Sequence, residues 1–444
     1  MKTTLPRIKR IEQKARSSCR EIYTSLYHHI YAEDTLRFSF SKLKENSACG
    51  IDGVSVSDYA DELDENLKGL QERLGTLSYK PQPARRTYIP KVGSRKMRPL
   101  GIPCTEDKVV QLSVKEVLEP IYEQKFCKFS YGYRPGKHCH QALDALGRTI
   151  QQKRVNYVVE ADIKGFFDNV NHELLIKLLR FRIKDERVIR LIHRMLKAGI
   201  MEDGLTSASA EGTPQGSILS PLLSNIYLHY GLDMWFEKIF KQNCRGEAHF
   251  FRYADDYVAC FQYKSDAENY LRAMEERLKT YHLEIEPSKT KLMEFGRFAE
   301  TNAKRRGQRK PETFDFLGFT HFCGKTRYGN FKIVRRTSRK KFTSKLKEFN
   351  LWLKLNRSRL KKKQIFETSV RKIKGHLNYF AITDNMERCV SFSYEMIQIL
   401  YKWLNRMSQR RSYTWDSFNH ALIWYKWPPI RKKVNISPFA GRSR

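Results

Sequence analysis

The sequence predicts an α+β protein: mixed helices and an antiparallel sheet, followed by a helical, strongly basic C-terminal part. Three observations carry this. The run Phe-Arg-Tyr-Ala-Asp-Asp-Tyr-Val-Ala-Cys-Phe at 251–261 sets two adjacent carboxylates between apolar, aromatic and β-branched stretches. It reads as strand, tight turn, strand, with Asp255 and Asp256 at the tip. A second β-rich run, Tyr157 to Ile163, ends near the acid Asp162. Beyond Lys332 the chain turns Lys/Arg-rich and helical, and Phe342, Leu346, Phe349 and Leu353 recur at spacings of four and three, an apolar stripe.

The other elements follow in order. Residues 1–48 read as a basic, mostly helical extension. Gly50, Asp52 and Gly53 mark a loop, and 58–76 reads as an amphipathic helix ended by Pro81 and Pro83. Residues 85–91 form a basic strand, and 96–103 pairs back on it as a hairpin. Residues 106–125 return to helix. After the strand at 157, helix is expected over 172–197, turns over 212–221 and helix again over 222–240. A helix over 265–281 follows the Asp255 hairpin. Residues 296–311, charged and poor in apolar side chains, read as a mobile basic loop, and 314–322 as a single strand. The change of character near 325–335 is the natural domain boundary.

Composition narrows the function classes. The 444 residues carry 83 Lys+Arg against 48 Asp+Glu, a formal net charge of +35. An excess of that size points to a polyanion, because basic side chains displace the counterions condensed on nucleic acid. No lipidation motif or long apolar stretch supports membrane binding. The nine cysteines are scattered, with no CxxC pair. Zinc spacing is absent and free thiols are expected, as in a reducing, cytoplasmic setting. No apolar signal sequence opens the chain.

The chemistry is carried by acids. Asp255 and Asp256 repel each other at a turn tip, and a divalent cation would neutralise them. Hard oxygen ligands suit Mg²⁺. Asp162 also ends a strand, far away in sequence. Adjacent strands could bring the acids together as a site for two metal ions.

Six motifs occur in one order: Arg98-Pro99-Leu100-Gly101-Ile102-Pro103, Ser130-Tyr131-Gly132-Tyr133-Arg134-Pro135, Asp162-Ile163-Lys164-Gly165-Phe166-Phe167-Asp168, Gly212-Thr213-Pro214-Gln215-Gly216-Ser217, Tyr253-Ala254-Asp255-Asp256 and Phe316-Leu317-Gly318-Phe319. This set resembles a reverse transcriptase, and its spelling resembles the proteins encoded by bacterial group II introns, the intron maturases. The resemblance runs from about Gly50 to about Ile430.

It implies a right-hand polymerase. An N-terminal extension (1–48) would precede fingers and palm (49–325), a thumb or maturase domain (326–395) and a short basic region (396–444), a candidate DNA-binding segment. Asp162, Asp255 and Asp256 would be the catalytic and metal-binding triad. The cofactor would be two Mg²⁺ ions, with Mn²⁺ as a substitute. Lys91 and Arg98 would hold the incoming triphosphate. Phe167 would clash with a ribose 2′-hydroxyl, Gln215 would line the nucleotide pocket, and Gly216 would let the backbone approach the substrate. Lys289 would lie near the leaving pyrophosphate. Phe316, Leu317, Gly318 and Phe319 would form the primer grip. Lys340, Lys345, Arg371, Lys374 and Arg406 would contact RNA.

The implied partners are an RNA template, group II intron RNA, a DNA primer or target, and dNTPs. The protein would act as a monomer or homodimer. No Cys/His-rich nuclease segment follows Ile430, so the resemblance implies a primer from another source, such as a nascent strand at a replication fork. Two alternatives compete with a polymerase that also aids splicing and retrohoming. One is a group II-like reverse transcriptase recruited by a host for defence or repair. The other is an RNA-binding splicing factor without polymerase activity.

Overall fold

The computed structural model describes residues 5–18, 20–90, 97–202, 205–207 (backbone only), 212, 216–406 and 412–436. Its strands are β1 (Ala84–Pro90), β2 (Met97–Ile102), β3 (Tyr157–Asp162), β4 (Ile200–Glu202), β5 (Leu205–Ser207), β6 (Ala248–Tyr253), β7 (Asp256–Phe261), β8 (Lys291–Glu294), β9 (Phe314–Phe316), β10 (Phe319–Lys325) and β11 (Phe331–Thr337). They form three sheets, ordered β2-β1-β4-β5, β6-β7-β3-β8 and β11-β10-β9.

The β6-β7-β3-β8 sheet organises the molecule, and its strand pairs are all antiparallel. Its strands read as near-continuous apolar runs because both faces are covered. Val159, Ala161, Phe250, Tyr257 and Ala259 join one core, with the N-terminal helices and the helices around residues 105–123 and 172–240. Val158, Val258, Cys260, Phe251 and Met293 join a second core, built with the β9-β10-β11 sheet and the C-terminal helices. Alternation along the strands therefore sends successive residues into different cores. Glu160, Asp162 and Asp256 share the parity of Val158 and Val258, so they emerge on the face toward the C-terminal helices.

The hairpin at 85–103 forms as β1–β2, with Arg85 opposite Ile102 and Ile89 opposite Arg98. The helix expected near 106 runs Thr105–Glu123. The stripe at Phe342, Leu346, Phe349 and Leu353 lies on the helix Arg339–Asn356, with Phe349 and Leu353 buried.

Several expectations are corrected. The helix expected over 172–197 is two, His172–Leu179 and Glu186–Lys197. Between them the chain pairs with Tyr23, whose amide bonds Arg182 O at 2.8 Å while Lys184 N bonds Tyr23 O at 2.7 Å. The helix expected over 58–76 is likewise split, into Val56–Asp61 and Leu63–Gly75. Residues 296–311 are not simply a loop: Ala299–Arg305 is helical. Ala299 and Ala303 are buried, and Asn302 and Arg306 both bond the carboxylate of Glu294. Residues 314–322 are not one strand. Leu317 (φ 50°) and Gly318 (φ 79°) make a two-residue turn between β9 and β10, the twist that favours tight hairpins. The helix near 222–240 widens into π-helical turns at His229–Asp233 and Phe236–Phe240.

Candidate active site

Strand register brings the two distant acids together. β3 and β7 pair antiparallel with Asp162 opposite Asp256. β6 and β7 pair with Tyr253 opposite Asp256, which leaves Ala254 and Asp255 as a two-residue turn. Ala254 has φ 58°, a left-handed conformation that costs a residue with a Cβ about 1 kcal/mol or more.

The surroundings enforce that turn. Gly132 lies against it so closely that a Cβ there would sit 2.2 Å from Ala254 N. Arg252, fully buried, fastens the hairpin from beneath. Its Nε and Nη2 donate to the two carboxylate oxygens of Asp233 at 2.7 and 2.6 Å. Nη1 donates to Asn225 Oδ1 and to Ala254 O, both at 2.9 Å, and Nη2 also donates to Ser130 Oγ at 2.8 Å. Every guanidinium N–H is thus satisfied. Asn225 in turn donates to Gly132 O at 2.7 Å. Cys127 and His229 stand near Asp233 in a geometry that could suit a metal, but the Arg252 guanidinium already occupies both Asp233 oxygens.

Electrostatics at the acids is unfavourable for three free anions. Burial first, and then Asp255, Asp162 and Glu160, push the Asp256 carboxyl up to about 7. Asp255 is also raised, by burial first and by Asp162, while Arg98 pulls it back. Half-buried carboxylates that raise one another favour a cation among them. The hard oxygen donors suit a divalent ion such as Mg²⁺. Lys289 supplies part of that charge, its ammonium bonding Asp162 Oδ2, and this contact raises the lysine pKa. The Leu317 amide lies near the Asp256 carboxyl and draws it slightly back down. The β9–β10 turn therefore lies beside Asp256, and Tyr379 Oη donates to Leu317 O at 2.8 Å.

The other sequence-predicted residues distribute as follows. Arg98, on β2, acts electrostatically on Asp255 and Tyr133. Phe167 is half-buried beside Phe166, in the turn after Asp162. Lys91 and Gln215 lie outside the described residues. Gly216 (φ 116°) is near enough to β2 that a Cβ would meet Gly101 O at 2.5 Å; the close neighbour it admits here is protein backbone. Phe316, Leu317, Gly318 and Phe319 surround the β9–β10 turn. Lys340 faces a polar cleft of about 580 Å³ shared with Glu160, Lys291, Asp315 and Arg339. Lys345, Arg371 and Lys374 are exposed on the C-terminal helices, well away from Asp162 in sequence, and Arg406 is exposed beside Trp403.

Sequence reasoning missed Arg252, Asp233, Asn225 and Glu160. A signal existed for Arg252: a lone charge inside an apolar strand needs buried partners.

Comparison with known proteins now places the chain. A family profile described as reverse transcriptase (RNA-dependent DNA polymerase) matches residues 89–321. The chain belongs to that family, among the group II intron reverse transcriptases and maturases. The group II intron-encoded protein LtrA of Lactococcus lactis subsp. cremoris is 42% identical over 230 residues, 52% of this chain and 38% of LtrA. Protein YkfC of Escherichia coli (strain K12) is 33% identical over 318 residues, 64% of this chain and 78% of that protein. Nuclear intron maturase 3, mitochondrial, of Arabidopsis thaliana is 30% identical over 135 residues, 30% of this chain and 18% of that protein. The match to LtrA thus spans well under half of LtrA's length. Among the described residues, no helix is long and apolar enough to cross a membrane.

Proposed function

We propose that this chain is an RNA-directed DNA polymerase that also binds group II intron RNA to assist splicing and retrohoming. The observation that carries the reading is the register of β3 and β7, which sets Asp162 opposite Asp256 with Asp255 on the adjoining turn. In this reading the β6-β7-β3-β8 sheet is the palm. The β1–β2 hairpin with its flanking helices is the fingers, and the helices from Arg339 onward form the thumb and maturase region. The segment boundaries at 48, 325 and 395 belong to the same reading.

Asp162 and Asp255 would hold two Mg²⁺ ions, or Mn²⁺ in their place, with Asp256 completing the acid cluster. When bound, such ions activate a primer hydroxyl and stabilise the in-line displacement at phosphorus. Asp256, whose carboxyl lies near the Leu317 amide, would chiefly set the β9–β10 turn relative to the acids. That turn, Phe316 to Phe319, would hold the primer end. Arg98 presents a guanidinium fork that can bind phosphate oxygens bidentately, and Lys91 a point charge. Phe167 would exclude a 2′-hydroxyl, and Gln215 would line the nucleotide pocket. Lys289, a cation held at Asp162, would move toward the departing pyrophosphate. Lys340, Lys345, Arg371, Lys374 and Arg406 would bind RNA backbone.

The test is primer extension. The purified protein, with Mg²⁺, dNTPs and a DNA primer on an RNA template, is compared with Asp255→Ala. Extension by the parent and none by the variant is expected. Equal extension by both would overturn the site. Failure of the parent to extend any primer, with tight RNA binding retained, would make the chain a splicing factor instead.

A further inference from the structure

The helices Arg339–Asn356, Lys362–Phe380 and Met386–Leu404 enclose a cavity of about 340 Å³, apart from the acid cluster. Its walls are apolar and aromatic: Phe349, Phe380, Phe392 and Met396. His376 lies in the same wall, stacked on Phe392 with ring centroids 3.6 Å apart and planes 6° from parallel. Burial, with Lys345 nearby, pushes His376 down to about 4, so this ring is neutral and stacks as an aromatic. Lys345 and Lys372 flank the opening. Lys345 pairs with Glu348 at 2.9 Å, and Lys372 lies over the Trp352 ring, 5.3 Å from its centroid.

Gly375 adds an independent pointer. It sits mid-helix, where glycine is about 1 kcal/mol less favourable than alanine. Packing does not require it: a Cβ there would meet nothing within 4 Å. Yet it lies on the wall of this cavity. A helical side chain leans toward the helix N-terminus, so a larger residue at 375 would lean over Lys372 and narrow the opening. The glycine keeps the opening clear at a cost in helix stability.

We infer that this cavity takes one unpaired nucleobase of a bound single strand, stacked among its rings, with the flanking phosphates on Lys345 and Lys372. A flat aromatic ligand matches the ring-lined wall, and cations at the mouth match a polyanionic backbone. A duplex does not fit, since its bases are stacked and paired. An apolar peptide side chain would gain nothing from the positive charge at the mouth. Glu348 at the rim can accept a bond from an exocyclic amine. The inference rests on the nucleic-acid reading given above, but not on polymerase catalysis.

The test uses the full chain in EDTA with a fluorescent single-stranded RNA carrying photoactive 4-thiouridine, and with the DNA strand of matching sequence carrying 4-thiothymidine. Crosslinks are mapped by mass spectrometry on the parent, Gly375→Ala and Gly375→Leu. We expect crosslinking to the segment 372–396 in the parent and in Gly375→Ala. In Gly375→Leu we expect loss of that crosslink and roughly tenfold weaker binding, with an unchanged or higher melting temperature. Equal crosslinking by both strands would show that the base alone is read; crosslinking by RNA only would add the 2′-hydroxyl to the contacts. Parental crosslinking and affinity in Gly375→Leu would overturn the inference. So would crosslinks that all map elsewhere on the parent, a result that decides even if Gly375→Leu proves unstable. Tight RNA binding with crosslinks elsewhere removes only the pocket, whereas no nucleic-acid binding at all removes the functional reading.

Discussion

His321 illustrates how far a residue's surroundings can set its chemistry. It is fully buried, its ring lies parallel to Phe314 with centroids 4.6 Å apart, and its nitrogens lie near the Phe314 and Phe319 backbone without a well-formed hydrogen bond. Burial first, and Arg335 second, push it down to about 3 from an ordinary 6.5. The folded state thus keeps the ring neutral while the unfolded chain takes up a proton below pH 6.5. Its contribution is intact above that pH and is lost as pH falls toward 3. Near pH 5 the cost is roughly 2 kcal/mol. His321→Phe should therefore stabilise the protein by about that much more near pH 5 than near pH 7.5, read by denaturant unfolding at each pH. An equal effect at both would show that the ring is protonated in the fold.

Among the elements, the β6–β7 hairpin is held by groups outside itself. Gly132→Ala would drive a Cβ into Ala254 N. Displacing a catalytic group by about 1 Å can cost 10²-fold in rate. We expect primer extension to fall by about that factor, with RNA binding close to parental in a mobility-shift assay. The Arg252–Asp233 pair is fully buried, and removing one partner of such a pair costs about 3–5 kcal/mol. Arg252→Met should lose stability of that order in thermal and chemical unfolding. Adding Asp233→Leu should recover part of it, because no unpaired charge is then left inside. A double variant no more stable than the single one would mean that the bonds to Asn225, Ser130 and Ala254 dominate.

For the whole molecule, the net charge of +35 makes salt the sensitive variable. If several Lys and Arg side chains displace counterions from RNA, affinity should fall by about a thousandfold between roughly 50 and 200 mM monovalent salt. A flat dependence, measured by fluorescence anisotropy, would mean that stacking and hydrogen bonding outweigh phosphate contacts. The two cores share the β6-β7-β3-β8 sheet as a common wall. Changes in the C-terminal helices can therefore reach the turn beside the acids through the hydrogen bond of Tyr379 to Leu317 O.

The amino-acid sequence by itself determined the elements with strong local signals and the chemistry that they carry. The hairpin at 251–261, the run at 157–162 and the stripe of Phe342, Leu346, Phe349 and Leu353 all follow from periodicity and composition, which act over a few residues. It also determined the net positive charge of +35, since charge needs no fold to be counted. What only the tertiary structure decided depends on residues distant in the chain. The break between the helices at 179 and 186 comes from pairing with Tyr23, and the short helix at 299–305 from Glu294. The turn at Leu317 and Gly318 sits where Asp256 and Tyr379 reach it. Arg252 finds its side-chain acceptors 19, 27 and 122 residues away. Local propensity cannot specify such contacts, because each depends on which surfaces meet after the strands have paired.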